Sequence, residues 1–227
     1  MTDRDDSPLD DPVGESLRGH HAHFARRVGR AATYVPEVAT FSAVTANPAG
    51  WADLARLLGR GQLADMFSSP AQPPAGWEPV FALEARQMVG PVRAASDVGT
   101  GVVELGRADV PDMLALAERT RPGPFWPRTR ELGTYLGVRD NGTLVAMVGE
   151  RLRPPGWTEI SALCTAPEAR GQGHAARLIR ALIARITARG ERPFLHVTET
   201  NTSALALYEH LGFQTRKPVT FRGYRTP

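Results

Sequence analysis

Several residue types are scarce in this chain of 227 residues, and each scarcity excludes a class of protein. The single cysteine, Cys164, excludes an internal disulfide framework and any metal site built from several thiolates. No apolar run approaches 18 residues, so the sequence predicts no transmembrane helix and no membrane partner. The N-terminus is acidic and polar, the opposite of a signal peptide. Together these features favour a cytoplasmic protein.

Lysine is also nearly absent, because Lys217 is the only lysine among 27 basic residues. These residues face 24 acidic ones, which gives a net charge of +3. A basic chain raises the hypothesis of nucleic-acid binding, with residues 177–189 as its most basic helix face. The arginines are scattered and no recognised binding motif accompanies them, so we expect no nucleic-acid partner.

Composition along the chain predicts three parts. Residues 1–14 hold five aspartates with proline and glycine, which predicts a disordered lead. Residues 15–95 predict a smaller α/β N-terminal domain, with helices at 15–30 and 49–58 and a strand at 80–89. A linker is predicted at residues 91–101. Residues 101–227 are predicted to form the second domain, whose pattern of strands and helices is clearer.

The second domain alternates strands and helices in a recognisable order. From residue 102 onward the pattern predicts β, α, loop, β, β, β, α, β, α, β. Asn141-Gly142 is a strong hairpin signal between two strands, whereas the strand–helix–strand steps near the end require parallel pairing. The sequence therefore predicts an α/β fold with a mixed sheet.

The most informative segment is the turn between a strand at residues 157–165 and an amphipathic helix that follows Gly173. Arg170-Gly171-Gln172-Gly173 places two glycines just before the helix, where backbone can approach a ligand closely. The first N–H groups of a helix lack intrahelical partners and attract anions. This suits a phosphate or pyrophosphate. The Rossmann and P-loop patterns are absent, and a plain tight turn is the alternative.

Two motifs in this half resemble the Gcn5-related N-acetyltransferase (GNAT) family. Arg170-Gly-Gln-Gly-His-Ala175 is similar to the family's R/Q-x-x-G-x-G/A acetyl-CoA loop. Asn201-Thr-Ser-Ala204, continuing to Tyr208 and Gly212-Phe213, is similar to its N-x-x-A-x-x-L-Y-x-x-x-G-F signature. The resemblance covers residues 102–224 and favours the FR47-like branch. It implies a mostly antiparallel sheet flanked by helices, and residues 15–95 as a possible degenerate acetyltransferase-like half.

The resemblance implies acetyl-CoA as co-substrate, bound mainly by backbone groups. The strand before the loop would hydrogen-bond the pantetheine arm, the loop would cradle the pyrophosphate, and the second motif would lie near the arm. The residues concerned are Leu163, Cys164, Thr165, Arg170, Gly171, Gln172, Gly173, His174, Ala175, Ala176, Asn201 and Ala204. Asn201 also suits a helix N-cap, and both roles can hold together.

The resemblance also implies two catalytic side chains for direct transfer of the acetyl group to a primary amine. Tyr208 would protonate the departing coenzyme A thiolate, or else be only a packing aromatic. Glu159 would take the proton from the attacking ammonium through water, with Glu150 on the neighbouring strand as the alternative base. A coenzyme A-binding sensor without catalysis is the alternative function.

The acceptor is predicted only as a small-molecule or protein amine, and the chain as a monomer or homodimer. Phe125 and Trp126, in a proline-rich loop, suit an acceptor pocket wall or a satellite hydrophobic cluster. Cys164 is predicted to be a small buried strand residue rather than a nucleophile. The histidines at 20, 21 and 23 lack the partners of a metal site, so no metal is expected.

Overall fold

The computed structural model describes residues 5–91 and 101–227. The α-helices are α1 (Pro12–Arg18), α2 (Pro48–Leu58), α3 (Val110–Thr120), α4 (His174–Ala188) and α5 (Thr202–His210). The strands are β1 (Ala25–Val28), β2 (Ala31–Tyr34), β3 (Ser42–Val44), β4 (Leu63–Met66), β5 (Glu78–Val89), β6 (Val103–Glu104), β7 (Tyr135–Asp140), β8 (Thr143–Glu150), β9 (Trp157–Thr165), β10 (Arg192–Thr198) and β11 (Gln214–Arg225).

Eight of these strands form one sheet in the order β4-β11-β5-β10-β9-β8-β7-β6, and β1-β2-β3 form a second, small sheet. Within the large sheet β9 and β10 pair in parallel, whereas the other neighbours pair antiparallel. The predicted mixed, mostly antiparallel sheet flanked by helices is thereby confirmed.

The N-terminal part of the chain completes this sheet. Strand β5 lies between β10 and β11, and β4 covers the other edge of β11. The division of the chain at residues 95–101 stays a prediction, but the two parts share one sheet. The predicted linker lies mostly outside the described residues.

The expectation of a disordered lead is wrong for residues 5–14, while residues 1–4 lie outside the described part of the chain. A 3-10 helix, Ser7–Asp10, precedes α1, and the side chain of Leu9 is fully buried. Arg216 binds Asp6 and Asp10 at 2.7 and 2.9 Å. Asp6 and Asp10 therefore have specific basic partners on β11, which the local composition could not reveal.

The helix predicted over residues 15–30 is also wrong. It ends at Arg18, and residues 25–28 form β1, which pairs with β2. The chain turns between these strands at Gly29, whose φ of 52° lies in the left-handed region. In residues 25–28 the pairing of β1 with β2 outweighs the local preference for a helix.

Other local predictions are confirmed. Helix α2 begins after Asn47, whose side chain accepts a hydrogen bond from Gly50 N at 2.8 Å. The β7–β8 hairpin turns at Asn141 and Gly142, both with positive φ. No helix in the described ranges is long and apolar enough to span a membrane.

The main core lies between the large sheet and two helices. Helix α4 buries one apolar face, including Leu178, Leu182 and Ile186, against β8 and β9. Helix α3 packs on the same strands with Met113 and Leu116. This packing holds the N-terminus of α4 directly after the end of β9.

Candidate active site

A cleft opens where the two parallel strands of the large sheet, β9 and β10, separate. Strands β9 and β10 pair only from Arg192–Trp157 to Phe194–Glu159. Further along, β10 remains paired with β5, and β9 remains paired with β8. Their facing edges therefore carry backbone N–H and C=O groups without a strand partner, which can bind an extended ligand.

A bulge in β9 accompanies this separation. Gly149 lies opposite Ser161 and Met147 lies opposite Cys164, so β9 has an extra residue relative to β8. Ala162 within the bulge has a φ of 52°, a strained value for a residue with a side chain. Bulges bend a strand and redirect its side chains, and this one lies in the wall of the cleft.

The loop predicted to bind pyrophosphate lies at the C-terminal end of β9. A 3-10 helix, Pro167–Ala169, leads to Arg170, and Gly173 caps α4. Gly171 and Gly173 have φ values of 77° and 76°, and a Cβ added to either would meet open space. The loop is exposed, and the first N–H groups of α4 have no intrahelical acceptors. The geometry fits an anion-binding loop.

His174, the first residue of α4, has a buried Nδ1 atom without a hydrogen-bond partner in the described structure. The two residues that follow it, Ala175 and Ala176, are half-buried in the first turn of the helix. This turn presents backbone groups and small side chains, as the prediction of backbone contacts requires.

The second predicted motif lies on the opposite wall of the cleft. Asn201 caps α5, and its Oδ1 accepts a hydrogen bond from Ala204 N at 3.2 Å. Tyr208 is 8% exposed and packs against Phe213. Burial raises the pKa of Tyr208 to about 12, so the phenol holds its proton at neutral pH.

One cavity of about 400 Å³ joins the cleft, the second motif and the N-terminal part of the chain. It is lined by β9 and β10, by the Arg121–Pro124 loop segment, by aromatic residues from several elements, and by Asp65, Leu83 and Arg151. The aromatic residues are Phe41, Phe67, Phe81, Tyr208 and Phe221. Leu163, Asn201 and Ala204 from the predicted set also line it.

Glu159 lies in a buried ion-pair network. Its carboxylate accepts two hydrogen bonds from Arg151, at 2.7 and 2.8 Å, and one from His196 Nδ1 at 2.6 Å. Burial opposes ionisation, but these partners outweigh it and lower the pKa of Glu159 to about 2. The guanidinium of Arg151 lies over Phe67 and Phe41, with its carbon 4.4 and 5.1 Å from the ring centres.

The protonation of His196 follows from its other neighbours. Gln87 Oε1 accepts from Arg216, and Gln87 Nε2 donates to the carbonyl of Leu9, so the amide orientation is fixed. The same Nε2 lies 3.2 Å from His196 Nε2, which must accept. The proton of His196 is therefore on Nδ1 and points at Glu159. Burial lowers the pKa of His196, which keeps the ring neutral.

The hydrogen bonds of Glu159 and Glu150 affect how well either carboxylate could act as the predicted base. Glu159 has no exposed surface and a full set of donors, so it is a weak proton acceptor that holds Arg151 and His196 in place. Glu150 accepts from Arg189 at 2.7 Å and from Thr134 N at 3.1 Å, and it does not line the cavity. The base role of either residue remains a prediction.

The predicted pocket residues lie away from this cavity. Phe125 packs edge-on against Tyr135 and borders a separate open cleft beside α3. Trp126 lies in the same loop, where its backbone N–H donates to Thr129 Oγ1 at 2.8 Å. It is the residues just before them, Pro122 to Pro124, that line the cavity with Tyr208.

The sequence did not point to Asp65, to Arg151 or to the phenylalanines that line the cavity, which are Phe41, Phe67, Phe81 and Phe221. Asp65 lies on β4, is 7% exposed and lines the cavity. Burial raises its pKa to about 6, against the hydrogen bond from Thr40 and the charge of Arg151. The only local signal is a lone carboxylate in the apolar strand Leu63–Met66, because the residues that surround it come from distant parts of the chain.

Cys164 and His21 are buried and serve packing, whereas His20 and His23 are exposed. Burial raises the pKa of the Cys164 thiol to about 11, which makes it a poor nucleophile. His21 is buried between Tyr34 Oη and the carbonyl of Leu132, at 3.0 and 3.1 Å. In the described ranges, no three His, Cys, Asp or Glu residues are grouped to hold a metal.

Comparison with known proteins agrees with this geometry. The family model described as FR47-like protein matches residues 135–222. The N-alpha-acetyltransferase RimI of Mycobacterium tuberculosis is 39% identical over 110 residues, covering 44% of this chain and 68% of that protein.

Solved structures extend the match over the whole chain. A GNAT-family protein from Novosphingobium aromaticivorans has a TM-score of 0.88 and 42% identity, over 98% of this chain and all of that one. A GCN5-related N-acetyltransferase from Kribbella flavida shares the fold, with a TM-score of 0.59 and 18% identity over 96% of each chain.

The fold is that of an N-acetyltransferase. More particularly, the chain belongs to the GNAT family, in its FR47-like branch. Membership supports acyl transfer from an acyl-CoA to an amine, since GNAT acetyltransferases use acetyl-CoA as co-substrate.

Proposed function

We propose that this protein transfers an acetyl group from acetyl-CoA to the primary amine of a small molecule or protein by direct attack on the thioester. One observation carries the proposal: Tyr208 lines the same cavity as the unpaired edges of β9 and β10, and β9 continues from that cavity to the anion-binding loop of Arg170–Gly173. The loop suits the pyrophosphate, the strand edges suit the pantetheine arm, and Tyr208 suits the departing thiolate.

The loop and strands would hold the donor. The N–H groups at the start of α4 and the side chain of Arg170 offer positive charge to the pyrophosphate. The backbone of β9 from Leu163 to Thr165 would hydrogen-bond the amides of the arm. The relative RimI is named as an N-alpha-acetyltransferase, so its acceptor group is an α-amine.

Tyr208 would supply the proton at the end of the reaction. The C–S bond breaks as the C–N bond forms, and the sulfur leaves as a thiolate that needs a proton. The phenol is protonated at neutral pH, is buried, and lines the cavity. A positioned acid of this kind contributes about 10²- to 10⁴-fold in rate.

The test separates binding from turnover. Free thiol released from acetyl-CoA is measured with a panel of primary amines, for the wild type and for Tyr208→Phe. We expect turnover by the wild type, and a fall of about 100-fold in kcat with unchanged acetyl-CoA affinity in the variant.

Two results would contradict the proposal. Equal turnover by Tyr208→Phe would remove the tyrosine from the mechanism. Tight acetyl-CoA binding by the wild type without thiol release from any amine would favour the coenzyme A-binding sensor instead.

A further inference from the structure

We infer that Asp65 is the ion-pair partner and proton acceptor of the acceptor amine, and that the acceptor is a cationic primary amine with an apolar body. The inference deepens the proposed function, on which it rests. It assigns the acceptor end of the cavity to the N-terminal part of the chain.

The first observation is that Asp65 has spare hydrogen-bonding capacity. Thr40 Oγ1 donates to its Oδ2 at 2.8 Å, and no basic side chain of residues 5–91 or 101–227 forms an ion pair with it. A buried carboxylate with one donor is costly to keep ionised. Because Asp65 lines the cavity, a cationic ligand there would satisfy it.

The second observation concerns the other charges that border the cavity. Arg151 is already paired with Glu159 and stacked on two phenylalanine rings, so its charge is compensated. His196 is neutral, and Tyr208 keeps its proton. Arg121 lies at the exposed rim, where water screens its charge.

The described strand residues on either side of Asp65 place no positive charge on its carboxylate. Phe41 forms a bridge to it, and Gly223 of β11 is its partner on the other side. Arg222, next along β11, points its guanidinium at the carbonyl of Ser69. Among the described residues Asp65 therefore feels the charge of Arg151 but has no ion-pair partner of its own, and a cation in the cavity would supply one.

The third observation is the apolar surface beside this carboxylate. Phe67 stacks on Phe221 with 4.3 Å between ring centres, and Phe81 and Leu83 continue the surface toward the mouth. Leu83 is 50% exposed, an unpartnered apolar group at the entrance. An apolar acceptor body would cover it and gain the burial of that surface.

The assignment also gives the reaction a proton acceptor. The ammonium loses a proton to Asp65, and the free amine attacks the thioester carbonyl. The new C–N bond replaces the C–S bond, and the thiolate takes its proton from Tyr208. Asp65 thereby takes the role that the sequence assigned to Glu159.

The test measures binding, so that it does not depend on turnover. 2-Phenylethylamine, L-phenylalanine and ethanolamine are titrated into the protein saturated with coenzyme A, for the wild type, Asp65→Asn and the exposed-carboxylate control Glu84→Gln. We expect the wild type and Glu84→Gln to bind 2-phenylethylamine at least 10-fold more tightly than the other two ligands. Asp65→Asn should weaken that binding at least 10-fold.

The pH dependence supplies a second readout. Wild-type affinity for 2-phenylethylamine should fall as pH drops through 6, because Asp65 becomes protonated, and Asp65→Asn should show no such fall. Tighter binding of L-phenylalanine would show selection of a zwitterion and overturn the inference. So would equal binding by Asp65→Asn, or no binding of any amine. Failure of coenzyme A itself to bind would instead overturn the proposed function.

Discussion

Replacing Asp65 with asparagine should make the protein more stable while it weakens acceptor binding. Burial raises the pKa of this carboxyl from 3.8 to about 6, so folding favours its neutral form. At about 1.4 kcal/mol per pKa unit, the ionised carboxylate costs about 3 kcal/mol of folding free energy above pH 6. Asparagine keeps an acceptor for the hydroxyl of Thr40 but carries no charge.

The sign of the pH dependence follows from the raised pKa. Between pH 4 and 6 the folded protein binds a proton that the unfolded chain has released, so wild-type stability falls as pH rises through this range. Asp65→Asn should therefore gain about 3 kcal/mol over the wild type at pH 8, and little at pH 4. For a chain of this length the gain at pH 8 corresponds to roughly 6–12 °C in Tm. Thermal unfolding of both proteins at the two pH values measures this, and a Tm difference that is the same at both would mean that ionised Asp65 does not destabilise the fold.

Two further substitutions test other parts of the structure. Glu159→Gln leaves the buried guanidinium of Arg151 without its counter-ion, and we expect a loss of about 3–5 kcal/mol in denaturant unfolding at pH 7. Because the pKa of Glu159 is lowered, its contribution is present above pH 4.5 and is lost as pH falls toward 2, so the difference from wild type should shrink at low pH. Leu9→Ala should cost about 2–5 kcal/mol, because the side chain is fully buried. The matched change Val80→Ala, at a 46% exposed site, should cost less than about 0.5 kcal/mol, and equal costs for the two would mean that the N-terminal lead is not part of the core.

The elements with local signals could be predicted from the sequence. The Asn141-Gly142 turn, α2 with its Asn47 cap, and the Arg170–Gly173 loop before α4 all have residues that dictate the backbone nearby. The mixed sheet followed from the order of strands and helices. These features include most of the predicted donor-binding site.

The elements that depend on distant partners could not be predicted. Asp6 and Asp10 are held by Arg216, which lies about 200 positions away in the chain. The pairing of β4 with β11 places Asp65, and the pairing of β5 with β10 and β11 places Phe81 and Phe221; no local pattern encodes either pairing. The sequence predicted the strand that carries Glu159, which made this carboxylate a candidate base. It gave no sign that Arg151 and His196 would bind the carboxylate.

Thermal unfolding with acetyl-CoA shows whether an acyl-CoA binds at the loop before α4. At 100 times its Kd, the ligand should stabilise the wild type by about 2.7 kcal/mol, or roughly 5–10 °C in Tm. Gly173→Val should abolish that shift. Gly142→Val, at a hairpin glycine with a similar φ of 83° and open space around its Cβ, should retain it, since it imposes the same backbone strain away from the loop. A full shift in Gly173→Val, or no shift in the wild type, would mean that the loop before α4 does not bind the acyl-CoA.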